Sequence, residues 1–81
     1  MHELKLVKEI AEKALNIAKE KQAKKVNKIF IKIGASSHLT TKSFSHLFKE
    51  FSKATILEQA EIVVSQTQEE GLILESLELE I

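Results

Sequence analysis

The eight residues Val26-Asn27-Lys28-Ile29-Phe30-Ile31-Lys32-Ile33 decide the architecture of the chain. In an extended backbone Ile29, Ile31 and Ile33 share one side and Lys28, Phe30 and Lys32 the other, the period of two that marks a half-buried strand. Gly34 ends it. The isoleucine side needs a cover, and the flanking sequence supplies it. Upstream, Leu4, Val7, Ile10, Ala11, Ala14, Ile17 and Ala18 recur at steps of three and four, which predicts a helix from Leu4 to about Gln22 with one apolar stripe. Its residues are mostly good helix formers. Glu3 and Glu9 lie nearer its positive end, and Lys19 and Lys21 nearer its negative end. No Ser, Thr, Asp or Asn caps its start, so the first N–H groups, near His2 and Glu3, are left for water, Glu3 or a bound group.

Downstream, Ala35 to Thr40 is small and polar, a loop into a second helix capped by Thr40 or Thr41. Phe44, Leu47, Phe48 and Phe51 follow at i, i+3, i+4 and i+7 and place three phenylalanines on the same core. An exposed aromatic docking face is the alternative, but a small domain normally spends such a stripe on its own sheet. Ala54 to Ala60 reads as a turn anchored by Ile56 and Leu57. Glu61 to Thr67 alternates as a second strand, and Leu72 to Ile81 reads as a third. In the third the inward parity passes from Leu72 and Leu74 to Leu77, Leu79 and Ile81, so a bulge is expected near Glu75-Ser76. Gln68-Glu69-Glu70-Gly71 between them has the length of a hairpin loop. The expected fold is α/β in the broad sense, more narrowly α+β. Two helices lie on one face of a three-stranded sheet, in the order helix, strand, helix, strand, strand, as a single domain over residues 1–81.

Composition narrows the function. Twelve basic residues balance twelve acidic ones in 81 residues. The totals therefore favour neither disorder nor a polyanion partner, and nucleic acid is not expected. Basic residues cluster between Lys19 and Lys32, whereas the stretch from Glu58 onward is acidic, a pattern that solvated faces explain. The absence of cysteine excludes a disulfide framework and any thiolate zinc site within the chain. No apolar run approaches the ~20 residues that span a bilayer. Glu3, Glu9 and Glu12 interrupt any signal-peptide core, so the cytoplasm is the expected compartment and no membrane partner is expected. An enzyme is poorly supported. There is no cysteine nucleophile, no assembled Ser-His-acid set, and only Gly34 and Gly71 to build a phosphate loop.

The chemistry-bearing stretch is Met1-His2-Glu3. With Met1 retained and unblocked, its amine and the His2 amide nitrogen close a five-membered chelate ring. The same amide closes a six-membered ring with the His2 imidazole Nδ1. Such nitrogen sets suit planar Ni(II) or Cu(II). An atom of Glu3, or a group from a partner, could fill the fourth position. The plainer reading is an initiator followed by the opening of a helix. His38, in the loop after the strand, is a further candidate ligand, whereas His46 lies away from the Phe44 side of its helix and faces water.

Taken together, Met1-His2-Glu3-Leu4, the long first helix, Ala23-Lys24-Lys25-Val26, the strand ending Lys32-Ile33-Gly34, the phenylalanine-bearing helix, Glu61-Ile62 and Ser76-Leu77-Glu78-Leu79-Glu80 resemble the HypA/HybF family of hydrogenase and urease nickel-incorporation proteins. The resemblance runs over nearly the whole chain in the same order. It implies a nickel metallochaperone for a nickel enzyme such as [NiFe]-hydrogenase or urease, with Ni(II) held by Met1, His2 and Glu3. It also implies a GTPase partner of the HypB type and an enzyme precursor that receives the ion. The family inserts a zinc domain with paired Cys-X-X-Cys motifs between the last two strands. Here Gln68-Glu69-Glu70-Gly71 stands in its place, so no zinc is expected. Where many members carry an acidic residue after the first strand, this chain has Thr40. A rival reading from a different class is a protein-interaction module that keeps the fold without metal delivery. It would use the first helix or an exposed sheet edge, with self-association as one outcome.

Overall fold

A long central strand forms because its alternate isoleucines have two helices to bury against. The computed structural model describes residues 2–35 and 39–81, the side chains of His2 and Glu3 excepted. The elements are α1 (His2–Glu20), β1 (Lys25–Gly34), α2 (Thr41–Ser52), β2 (Glu61–Thr67) and β3 (Leu72–Glu80). This is the expected α+β order, with boundaries shifted by a residue or two at the element ends. Ile29, Ile31 and Ile33 are buried, as are Val7, Ala11, Ala14 and Ala18 of α1 and Phe44 and Phe48 of α2. The two aromatic rings sit 5.5 Å apart between centroids, at 33° to one another. Phe44 and Phe48 are thus core residues, which disposes of the exposed aromatic face. Leu57 is buried as well. It anchors a run of tight turns after α2 in which Thr55, Glu58 and Ala60 each donate a backbone N–H to the carbonyl three residues earlier.

The alanines on α1 let its backbone approach the sheet closely, and its end is closed by a Schellman motif. Ala23 N–H donates to the Ala18 carbonyl at 3.0 Å and Gln22 N–H to the Lys19 carbonyl at 3.1 Å. Gln22 occupies the left-handed position, with φ 54°, where glycine would be unstrained. Lys24 N–H then donates to the Glu80 carbonyl at 2.7 Å and ties the turn to the end of β3.

The sheet order is β2-β1-β3. β1 pairs parallel with β2, Ile29 opposite Ile62 and Ile31 opposite Val64, and antiparallel with β3, Ile29 opposite Leu77 and Ile31 opposite Leu74. Between the pairs Phe30–Ser76 and Ile31–Leu74, Glu75 is the extra residue. This is the expected bulge, and it restores an inward direction to leucines on both sides. It also aims Glu75 at Lys32, with Lys32 Nζ 2.9 Å from Glu75 Oε2. The hydrogen bond to Glu75, then its charge, raises the Lys32 ammonium above its ordinary range.

One expectation fails. Gln68-Glu69-Glu70-Gly71 does not close a hairpin, because β2 and β3 are not neighbours. The connection crosses over the end of β1. Gly34 N–H donates to the Gly71 carbonyl at 2.7 Å and Ala35 N–H to the Thr67 carbonyl at 2.8 Å. A side chain at Gly34 would bring Cβ to 2.5 Å from the Glu69 carbonyl oxygen and 2.7 Å from the Gly71 nitrogen. Gly34 is there because another backbone passes across it. Loop length alone misled the sequence reading: four residues suit a hairpin, but they also suit a short arch over one intervening strand.

Candidate functional site

Chain direction sorts the termini of the elements into two ends. α1, running opposite to β1, brings its first half against Leu72 at the start of β3, where Leu6, Glu9, Ile10, Lys13 and Leu72 line an open groove of ≈ 400 Å³. The start of α1, the end of β1, the start of α2 and the 68–71 connection therefore share one end of the domain. The opposite end carries the Schellman turn and the end of α2.

Within the shared end, His2 and Glu3 belong to the first turn of α1. A helical N–H bonds to the carbonyl four residues earlier, so the first four N–H groups of a helix that begins at His2 have no acceptor within it. Their amides are thus free of the helix ladder, and the partial positive charge of the helix start favours negative charge on groups placed there. An amide nitrogen that loses its proton to water and binds a metal ion in its place would cost the helix no hydrogen bond. Met1 and His38 lie outside the described residues, as do the side chains of His2 and Glu3. Leu4 and Leu6, in the next turn, are 46 % and 43 % exposed, whereas Val7 is fully buried. The helix seats itself on the core only from Val7 onward.

The other start at this end is capped in the expected way. Thr40 has extended backbone angles, and its Oγ1 accepts a hydrogen bond from Ser43 N–H at 3.0 Å. This gives Thr40 a structural task, and capping by Thr40 rather than Thr41 resolves the two alternatives. His46 is exposed on α2, as its helical position predicts. Among the described residues no three His, Cys, Asp or Glu side chains converge in a way that could hold a metal ion. The groove beside Leu72 was not foreseen. Its sequence signal is Leu6, an apolar residue off the stripe of α1.

Fold and site together define a small α+β domain whose first helix presents unengaged backbone amides at its start. Its sequence matches the family described as hydrogenase/urease nickel incorporation, metallochaperone, hypA over residues 1–72, and the chain belongs to that family. The solution structure of the Ni metallochaperone HypA from Helicobacter pylori superimposes with a TM-score of 0.81 at 18 % identity, covering 96 % of this chain and 97 % of that one. A second solution structure, of a HypA protein, gives a TM-score of 0.70 at 24 % identity, covering 82 % of this chain and 56 % of that one. At these identities the likeness is one of fold. Comparison with curated proteins finds no match. The family is one of nickel-binding metallochaperones rather than enzymes, and it works with maturation factors of nickel enzymes. No helix among the described residues is long and apolar enough to cross a membrane.

Proposed function

We propose that this protein carries Ni(II) to a nickel-enzyme precursor and holds the ion at the chain start. The observation that carries the reading is that α1 begins at His2, leaving the His2 and Glu3 amides without intrahelical acceptors. The Met1 amine, the His2 amide nitrogen and His2 Nδ1 would occupy adjacent corners of a planar site, with Glu3 or a partner group at the fourth. The metal is cargo, so the site must also let go. A chelate at a chain end can exchange ligands stepwise with an acceptor, and reprotonation of the amide nitrogen releases the ion.

On this reading the acceptor is a [NiFe]-hydrogenase or urease precursor, and a GTPase of the HypB type takes part in the transfer. The domain is a single nickel-binding unit over residues 1–81, with the four residues 68–71 where the family carries its zinc module, and it needs no zinc. Absence of cysteine supports that part of the reading. His38, which follows β1 in the sequence, is an accessory ligand rather than part of the chelate. The cytoplasm, where such precursors are assembled, is the compartment.

Calorimetric titration of Ni(II) into protein beginning at Met1 with a free amine should give one site. Extending the N-terminus by a few residues should abolish it. Equal affinity with and without the extension removes the chelate from these residues. Because amine and amide lose protons on binding, affinity should fall as pH drops. A pH-independent affinity would refute the proposed ligand set.

A further inference from the structure

α2 is fixed from one side only. Phe44 and Phe48 are buried in the core, and Thr40 caps the helix start. His46 and Glu50 each follow a buried phenylalanine by two residues, about 200° around the helix from it, and both are exposed. They are one turn apart. Side chains at i and i+4 have Cβ atoms roughly 5–6 Å apart, and helical side chains lean toward the N-terminus, so Glu50 leans over the turn that carries His46. In the H-E-x-x-H helices of metalloproteases the same spacing sets two imidazoles on one metal ion.

Both groups have atoms to offer. Glu50 meets Lys53 Nζ through Oε2 at 2.8 Å, which leaves Oε1 without a partner among the described residues. The His46 ring makes no hydrogen bond or ion pair with any of them. The two groups also sense one another. The hydrogen bond from Lys53, and then its charge, hold the Glu50 carboxyl below its ordinary range, and the charge of His46 adds to the effect. Beside the imidazole runs an open groove of ≈ 400 Å³ lined by Lys42, Ser43, His46 and Leu47.

We propose that His46 and Glu50 form a second metal site, which takes Ni(II) through the imidazole and Oε1 and completes its shell with water. An imidazole beside a carboxylate suits the later transition metals, whereas Mg(II) and Ca(II) take oxygen alone. Two side chains impose no plane, so the ion stays six-coordinate and paramagnetic, unlike planar Ni(II) held by nitrogens at the chain start. The site is weak. Lys42 and Lys49 lie one turn to either side of His46, and Lys53 competes for Glu50. These ammonium groups stand on flexible, solvated stems, and an exposed pair such as Lys53–Glu50 gives way readily. The site therefore fills only at Ni(II) levels well above those that saturate the chain-start chelate. Its open positions accept a ligand from another molecule, which suits taking up or passing on an ion rather than storing it.

The test uses the full chain with a few glycines and serines placed before Met1, which silences the chain-start chelate and so keeps the two readings separate. Ni(II) alone is titrated and followed by amide NMR. Paramagnetic broadening should centre on residues 46–50 of α2. His46→Ala should remove it, Glu50→Gln should weaken binding roughly tenfold, and His38→Ala should leave both unchanged. Lys53→Gln releases the second carboxylate oxygen and should tighten binding severalfold. Lys42→Glu adds a carboxylate one turn before His46 and should tighten it roughly tenfold. Unaltered circular dichroism in each variant checks that the helix is intact. Broadening centred elsewhere, its survival in His46→Ala, its loss in His38→Ala, or no gain in either lysine variant would overturn the proposal.

Discussion

The two ends of the domain are closed by different means. At one, α1 stops in a Schellman turn, Lys24 bonds to Glu80, and α2 ends with Ser52 Oγ donating to the Phe48 carbonyl at 2.7 Å and Thr55 Oγ1 to the Ser52 carbonyl at 2.6 Å. At the other, α1 begins at His2 and the amides of its first turn have no acceptor within the helix. The first end spends its backbone polar groups on itself and the second keeps some unspent. Groups needed for exchange with a partner belong at the end where structure has made no prior claim on them.

Changes in the first turn of α1 should alter binding more than stability. His2→Ala removes the imidazole and should weaken Ni(II) binding by more than about a hundredfold, beyond the loss of an outer-shell group. Its melting temperature without metal should stay unchanged. Calorimetry and thermal denaturation on the same sample would check both. A variant that melts early but binds normally would reverse the contrast.

Gly34→Ala probes the same end from within. The added Cβ meets only backbone, so the 68–71 connection has to move, at a cost of about 1–3 kcal/mol in denaturant unfolding. That is a large share of the roughly 4–12 kcal/mol expected for a domain of this length. At the self-satisfied end the sign should reverse. Gln22→Gly relieves the left-handed residue of the Schellman turn and should raise stability by about 0.5–1 kcal/mol, read as a higher urea midpoint at constant slope.

The smallest effect belongs to the exposed pair at the end of α2, Lys53 Nζ and Glu50 Oε2 at 2.8 Å. The hydrogen bond to Lys53, then its charge, lowers Glu50 below 4.5, and the converse raises Lys53 above 10.5. The Glu50 contribution is present above pH 4.5 and lost as pH falls through its lowered value. The Lys53 contribution is present below pH 10.5 and lost as pH rises through its raised value. Glu50→Gln should therefore differ slightly from the parent at neutral pH and converge with it in acid. At 1 M salt, where the Debye length is about 3 Å, the difference should shrink.

Much of this was legible in the sequence because burial imposes periodicity. Ile29, Ile31 and Ile33, the alanine stripe of α1 and the phenylalanines of α2 announce their faces, and the parity change in β3 revealed its bulge. Strand order was not legible. It depends on which strand pairs with β1 on each side, and both orders bury the same residues. Gly34 held the clue, as a glycine at a strand end that a turn alone could explain but a crossing backbone requires. The candidate site was legible only as composition, since the atoms that matter are mostly backbone nitrogens, which every residue supplies. What distinguishes them is their position in the first turn of a helix, which the sequence places near His2 and Glu3 and the start of α1 at His2 makes definite.

The arch over β1 has a consequence for anything built into it. At a hairpin tip, a longer loop would stand on neighbouring feet and be free to swing. Here its two stalks rise from strands about 10 Å apart, with a third strand between them. A module grafted at that point would be straddled across the sheet like a saddle, its tilt fixed by two separate footings on the side of the molecule from which the first helix sets out.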